Sequence, residues 1–293
     1  MANSKHTLWI FVILLTLNAC SQYEPVSNPD IVVEGWIDAG GHPIVLIHKA
    51  YALANSNPKV ELRDIIQEQL IPFGRVTVID GEDSVVLTGR VDTNYMPPYR
   101  YSTTEVIGQE GKTYRLRVQF NQWDATATTT IPPIVHWDSL VVYQASNHLL
   151  GMYGYLSDVQ QEDYFIVMVK KLHKKQFEIC PMGVFSGKQA ENGRLRIDIH
   201  NQGSDSDQGI LNKFFFPQND STIYSIKMAR IDAEAYAFWD SYAALRLSQG
   251  NLFMAVFKNV ETNINGGLGY WSGMGTDIIN VSVDKPNVYY PKQ

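Results

Sequence analysis

From Ile31 onward, apolar and polar positions alternate in short runs separated by Gly, Pro, Asn and Asp. This is the period of half-buried strands. The clearest case puts Tyr114, Leu116, Val118 and Phe120 on one face and Arg115, Arg117 and Gln119 on the other. Strands are predicted at 31–37, 44–50, 75–80, 84–90, 99–107, 113–120 and 124–131. Asp80-Gly81 is a hairpin turn signal, because Gly accepts the positive φ that such turns need. About seven strands in a hundred residues is the pattern of an immunoglobulin-like β-sandwich over 31–131. Within it, Val60, Leu62, Ile65, Ile66 and Leu70 follow a helical stripe, which predicts a short helix in an insertion at 55–71.

Ile131-Pro132-Pro133 is the predicted boundary, since paired prolines stop a ladder and stiffen a connection. The alternation resumes in a second β-rich domain over 134–293, with strands expected at 137–144, 151–156, 164–172, 194–200, 210–216, 222–231, 253–257 and 278–283. One amphipathic helix interrupts it near 232–248. Asp232 is its N-cap, Ala235, Phe238, Trp239, Tyr242 and Leu245 form its apolar face, and Gly250 lies beyond its end. A face this aromatic requires an apolar partner, most simply the sheet of the second domain.

The N-terminus follows a different pattern. Lys5 precedes an apolar run from Leu8 to Leu17, interrupted only by Thr16 and followed by Asn18-Ala19-Cys20. The run is too short to cross a bilayer, which takes roughly 20 apolar residues, so 1–19 reads as an export signal. Leu17-Asn18-Ala19-Cys20 resembles a bacterial lipobox, which makes Cys20 the acylated first residue of the mature chain; an ordinary secretory signal cut near Ala19 is the alternative. Residues 20–30 are polar and Pro-containing and read as a tether to the lipid. The expected location is the outer membrane, with the periplasmic or extracellular face left open.

Charge and cysteine usage narrow the picture. Removing 1–19 takes away Lys5 and no acid, so the formal charge of -6 becomes more negative. Such a chain has no electrostatic footprint for nucleic acid and is repelled by anionic head groups, so attachment must be covalent. Of the two cysteines, Cys20 is taken by the lipid, leaving Cys180 in the β-like stretch Phe177-Glu178-Ile179-Cys180 as a buried, inert thiol.

Candidate chemistry is sparse. No histidine pair has zinc spacing, and Ser272 stands among glycines without the offset of a nucleophile elbow. No catalytic residue, metal or cofactor is expected. The stretch from Asn201 to Gly209 reads as a solvated loop rather than a calcium loop. Asp83-Ser84, Asp138-Ser139 and Asp220-Ser221 resemble an envelope O-glycosylation acceptor, though Asp-Ser is also a common turn pair. Two aromatic groups are candidate ligand-binding positions: Tyr95, Tyr99 and Tyr101 around Pro97-Pro98, and Tyr270-Trp271 after Gly266, Gly267 and Gly269. Aromatic rings give large contact area at low entropy cost. Each group can equally be packing, the first as a Pro-stiffened hairpin and the second as a turn whose glycines permit close backbone approach.

Four blocks together carry a family resemblance: Ile31-Val-Val-Glu-Gly-Trp-Ile37, Gly108-Gln-Glu-Gly-Lys-Thr-Tyr-Arg-Leu116, Thr130-Ile-Pro-Pro-Ile-Val-His-Trp-Asp-Ser-Leu140 and Asn263-Ile-Asn-Gly-Gly-Leu-Gly269. In this order, behind a lipobox, they resemble the domain of unknown function 4249 lipoproteins of Bacteroidetes. The resemblance implies an accessory outer-membrane lipoprotein encoded beside a TonB-dependent receptor, with no catalytic residues to carry over. The expectation is therefore a non-catalytic accessory subunit of a TonB-dependent uptake system. A stand-alone glycan- or peptide-binding lipoprotein is the alternative, and an undiagnosed hydrolase the third reading.

Overall fold

A computed structural model of the chain describes residues 31–50, 69–201, 215–218, 222–248 and 260–290. The described residues are mainly β. The first half supplies β1 (Ile31–Asp38), β2 (Ile44–Lys49), β3 (Arg75–Asp80), β4 (Asp83–Val86), β5 (Thr88–Val91), β6 (Tyr99–Ser102), β7 (Thr113–Phe120) and β8 (Trp123–Thr130). The second supplies β9 (Ser139–Ser146), β10 (Leu149–Leu156), β11 (Tyr164–Lys171), β12 (Glu178–Ser186), β13 (Leu195–Ile199), β14 (Phe216–Pro217) and β15 (Ile223–Ile231). It ends with helix α1 (Ala233–Ser248), β16 (Leu268–Ser282) and β17 (Asn287–Tyr289).

These strands form an eight-stranded sheet in the order β12-β11-β15-β16-β1-β2-β6-β5, with a smaller sheet against each half of one face. The four-stranded sheet β4-β3-β7-β8 closes a sandwich over β1, β2, β6 and the start of β16, around Ile31, Val33, Val76, Leu116 and Trp271. The sheet β13-β10-β9-β17, with β14 beside β10, closes a second over β11, β15 and the end of β16, around Trp137, Phe165, Ile197, Ile226 and Val281. Burying each such large side chain is worth roughly 1.5–3 kcal/mol.

The long sheet is continuous because β16 serves both sandwiches. It pairs parallel with β1 over Leu268 to Met274, then antiparallel with β15 from Gly275 to Ser282. The predicted boundary lies where β16 crosses under the chain. A Cβ on Gly273 would meet the backbone of Ile131, and one on Gly275 that of Pro132 and Pro133. Glycine is what lets the strands approach there.

Of the glycines read as a turn before Tyr270-Trp271, Gly266 and Gly267 do turn, whereas from Leu268 the chain is the start of β16. Gly269, at φ +106°, lies against the backbone of Val33. The segment 84–90 is two strands in different sheets, broken where Leu87 turns into the core and donates its N–H to the Val76 carbonyl (2.8 Å). The strand predicted at 99–107 stops at Ser102, and the β-like stretch around Cys180 extends as β12 to Ser186. The helix occupies its expected place. Asp232 caps it through the Ala235 N–H (2.8 Å), and Ala235, Phe238 and Trp239 are buried against Ile166, Ala229, Ile231 and Met274 on the open face of the long sheet. The expectations for 253–257 and for 55–68, and all but the first residue of the loop from Asn201 to Gly209, lie outside the described residues.

Candidate functional site

Strand alternation places one face of the long sheet inside the sandwiches and leaves the other for α1 and a cleft. In β1, Ile31, Val33 and Ile37 are buried in the first sandwich, while Glu34, Trp36 and Asp38 point to the opposite face. In β15, Tyr224, Ile226 and Met228 enter the second sandwich, and Ser225, Lys227 and Ala229 face the helix side. One wall of the cleft is α1, with Trp239 and Phe238. The other is the 92–98 connection, where Tyr95 lies 6.2 Å from Trp36, ring centre to ring centre. Arg100 holds that connection by stacking over Tyr95 at 5.6 Å and donating to Asp92 at 2.9 Å.

The cleft has an inner cavity of about 240 Å³ and an outer recess of about 430 Å³. Seven residues line both, and five of them are aromatic: Trp36, Tyr95, Phe177, Trp239 and Tyr270. At the floor, Lys227 Nζ donates to both carboxylate oxygens of Asp38, at 2.7 and 2.9 Å, and Thr276 donates its hydroxyl to the same carboxylate at 2.9 Å. The Lys227 side chain is only 5% exposed, so its charge depends on that partner. Nζ also lies 5.8 Å from the centre of the Phe177 ring. The indole N–H of Trp239 is buried without an acceptor among the described residues, and the Gln176 side chain hydrogen-bonds Tyr95. Burial pushes the Tyr270 hydroxyl well above 10, with Glu34 adding to the effect, so it stays a neutral donor.

Of the five sequence candidates, the structure brings two together. Tyr95 and Tyr270 both line the cleft. Tyr270 and Trp271, adjacent in β16, point to opposite faces; Trp271 is fully buried in the first sandwich and donates its indole N–H to the Tyr114 carbonyl (2.9 Å). Tyr101 is also core: its hydroxyl donates to the Ile71 carbonyl (2.7 Å) and accepts from the Gly74 N–H (2.9 Å), and burial pushes its pKa up to about 12. Tyr99 packs edge-on against it at 5.5 Å. Sequence reasoning passed over Trp36, Asp38, Phe177 and Lys227. A signal for two of them was present: Trp36 and Asp38 share the out-facing register of β1. Lys227 also left one, as a lone cation inside the apolar run from Ile223 to Met228.

The remaining candidates are placed plainly. Cys180 is buried, and desolvation raises its thiol to about 12. Ser272 is fully buried in β16. Asp83 and Ser84 are exposed in β4, Ser139 is buried in β9, and Asp220, Ser221 and Cys20 lie outside the described residues. No group of three or more metal-ligating side chains occurs among the described residues. No helix among them is long and apolar enough to cross a membrane.

No curated protein matches the chain. The family model described as domain of unknown function DUF4249 matches residues 21–277, a span that takes in every cleft residue from Glu34 to Thr276, and the chain belongs to that family.

Proposed function

We propose that this chain is a non-catalytic lipoprotein, held at the outer membrane by an acylated Cys20, that captures cargo in the aromatic cleft and presents it to a TonB-dependent receptor. The observation that carries the capture step is the convergence of five aromatic rings around a cavity that also holds the Lys227–Asp38 pair. A concave, aromatic-lined recess with a few fixed polar groups is the usual form of a ligand site. Support for the anchor comes from the order of Lys5, the Leu8–Leu17 run and Cys20. The receptor partnership rests on the resemblance to lipoproteins encoded beside such receptors. A stand-alone glycan- or peptide-binding lipoprotein is the second reading, and the same aromatic cleft would serve it.

The test is affinity purification from native membranes with the lipid intact, together with mass spectrometry of the mature N-terminus. The expected result is an acylated Cys20 and an outer-membrane barrel recovered in near-equal amount, both lost in Cys20→Ser. An acylated chain recovered without a barrel favours the stand-alone binder. A bare thiol at Cys20, or a chain still beginning at Met1, overturns the anchor.

A further inference from the structure

We propose that the cleft binds a neutral saccharide, one sugar ring lying against the aromatic lining with its hydroxyls over the Lys227–Asp38 pair. This assignment rests on the capture reading and names its ligand class. Three observations favour it.

The first is charge balance. Lys227 and Asp38 neutralise one another at the floor, and of the other charged lining residues Lys175 faces Asp92 while Glu34 pairs with His48, leaving Glu178 at the outer recess. A ligand carboxylate would be set against Asp38, and a ligand ammonium against Lys227. Neither sign of charge is welcomed, so a neutral ligand fits.

The second is the hydrogen-bonding inventory. An ammonium has three donors and Asp38 takes two of its contacts. A carboxylate offers about four acceptor positions, and Lys227 and Thr276 use three on Asp38. The Trp239 indole adds a buried donor without an acceptor among the described residues. A donor and an acceptor side by side on the floor, with a further donor on the α1 wall, match neighbouring hydroxyls, each of which both gives and accepts a hydrogen bond.

The third is the lining itself. The residues common to the inner cavity and outer recess are predominantly aromatic. The C–H-rich face of a sugar ring carries partial positive charge and is attracted to the negative face of an aromatic ring. A peptide side chain would be served as well by aliphatic walls.

The test uses the detergent-solubilised, acylated protein on an array of neutral hexose and N-acetylhexosamine oligomers, uronic-acid oligomers and tripeptides, with tryptophan fluorescence titration of each hit. Trp36 and Trp239 are the reporters in the cleft. The expected result is binding of neutral oligomers, weakened about tenfold or more by Tyr95→Ala and unchanged by Tyr153→Ala on the outer face of the β10 sheet. Tyr95 is only half-buried, and circular dichroism checks that its variant folds. Binding only of uronic-acid oligomers or tripeptides, lost in Tyr95→Ala, overturns the saccharide assignment and leaves cargo capture standing. Failure of every neutral oligomer, or neutral binding indifferent to Tyr95→Ala, also overturns it; the membrane pull-down, which needs no ligand, judges the presenting role separately.

Discussion

Lys227 and Asp38 lie 189 positions apart in sequence, yet the ammonium of one contacts both carboxylate oxygens of the other, at 2.7 and 2.9 Å. The pair joins β15 to β1 across β16 and so ties the two halves of the long sheet at the floor of the cleft. Removing one partner leaves the other charge poorly solvated. Lys227→Met is expected to destabilise the fold by about 1–3 kcal/mol, less than for a fully enclosed pair because water reaches Asp38. Asp38→Asn in the same chain should recover part of that loss. Urea unfolding of the two single variants and the double variant checks this as a cycle.

Asn263 stands in for a missing strand. Its side-chain oxygen accepts from the Trp271 N–H (2.9 Å) and its amide donates to the Trp271 carbonyl (2.8 Å), on the edge of β16 away from β1. Thr262 donates its hydroxyl to the Gly269 carbonyl beside it (2.8 Å). Asn263→Ala leaves two backbone groups of a core strand unpaired, so a loss of about 1–3 kcal/mol is expected. Hydrogen exchange at the Trp271 amide should accelerate in step with the drop in stability.

Cys180 should be silent to thiol reagents in the native protein. Its burial keeps the thiol protonated, with a pKa near 12, and shields it from reagents. Labelling near pH 8 is expected to follow the rate of unfolding and to reach completion only in denaturant. Rapid labelling of the folded chain would contradict the packing around β12.

His48 gives stability a pH dependence of definite sign. Burial lowers the pKa of its imidazole, but the Glu34 carboxylate 3.7 Å away and the Lys49 carbonyl outweigh that and hold it above 6.5. The folded state therefore binds the proton more tightly than the unfolded chain. This contribution is fully present below about pH 6.5 and is lost as pH rises through the folded value. The stability gap between wild type and His48→Gln should shrink as pH rises above about 6.5, and NMR titration of the imidazole should give the raised value directly.

Much of the local structure was legible because it depends on near neighbours. The alternation around Tyr114 located β7, and Asp232 marked the start of α1. The Gly-rich segment before Tyr270 is partly the expected turn, at Gly266 and Gly267, and partly strand, from Leu268. Glycines in a turn and glycines where a strand presses on another backbone look alike in sequence, and only the contacts of Gly269 with Val33 and of Gly273 with Ile131 tell them apart. Tyr270 and Trp271 were grouped as one ligand platform, but residues adjacent in a strand face opposite sides. Recognising the strand would have sent one of the two rings into the core.

By itself the sequence determined the β-rich alternation, the position and cap of the helix, and the buried character of Cys180. Each follows from residues within a few positions of one another. Tertiary structure decided that β16 runs through both sandwiches, that Tyr95 and Tyr270 share a cleft while Tyr101 and Trp271 do not, and that Lys227 meets Asp38. Those relationships depend on which distant strands pair and in what register, and every strand offers its backbone hydrogen bonds to any partner until packing selects one.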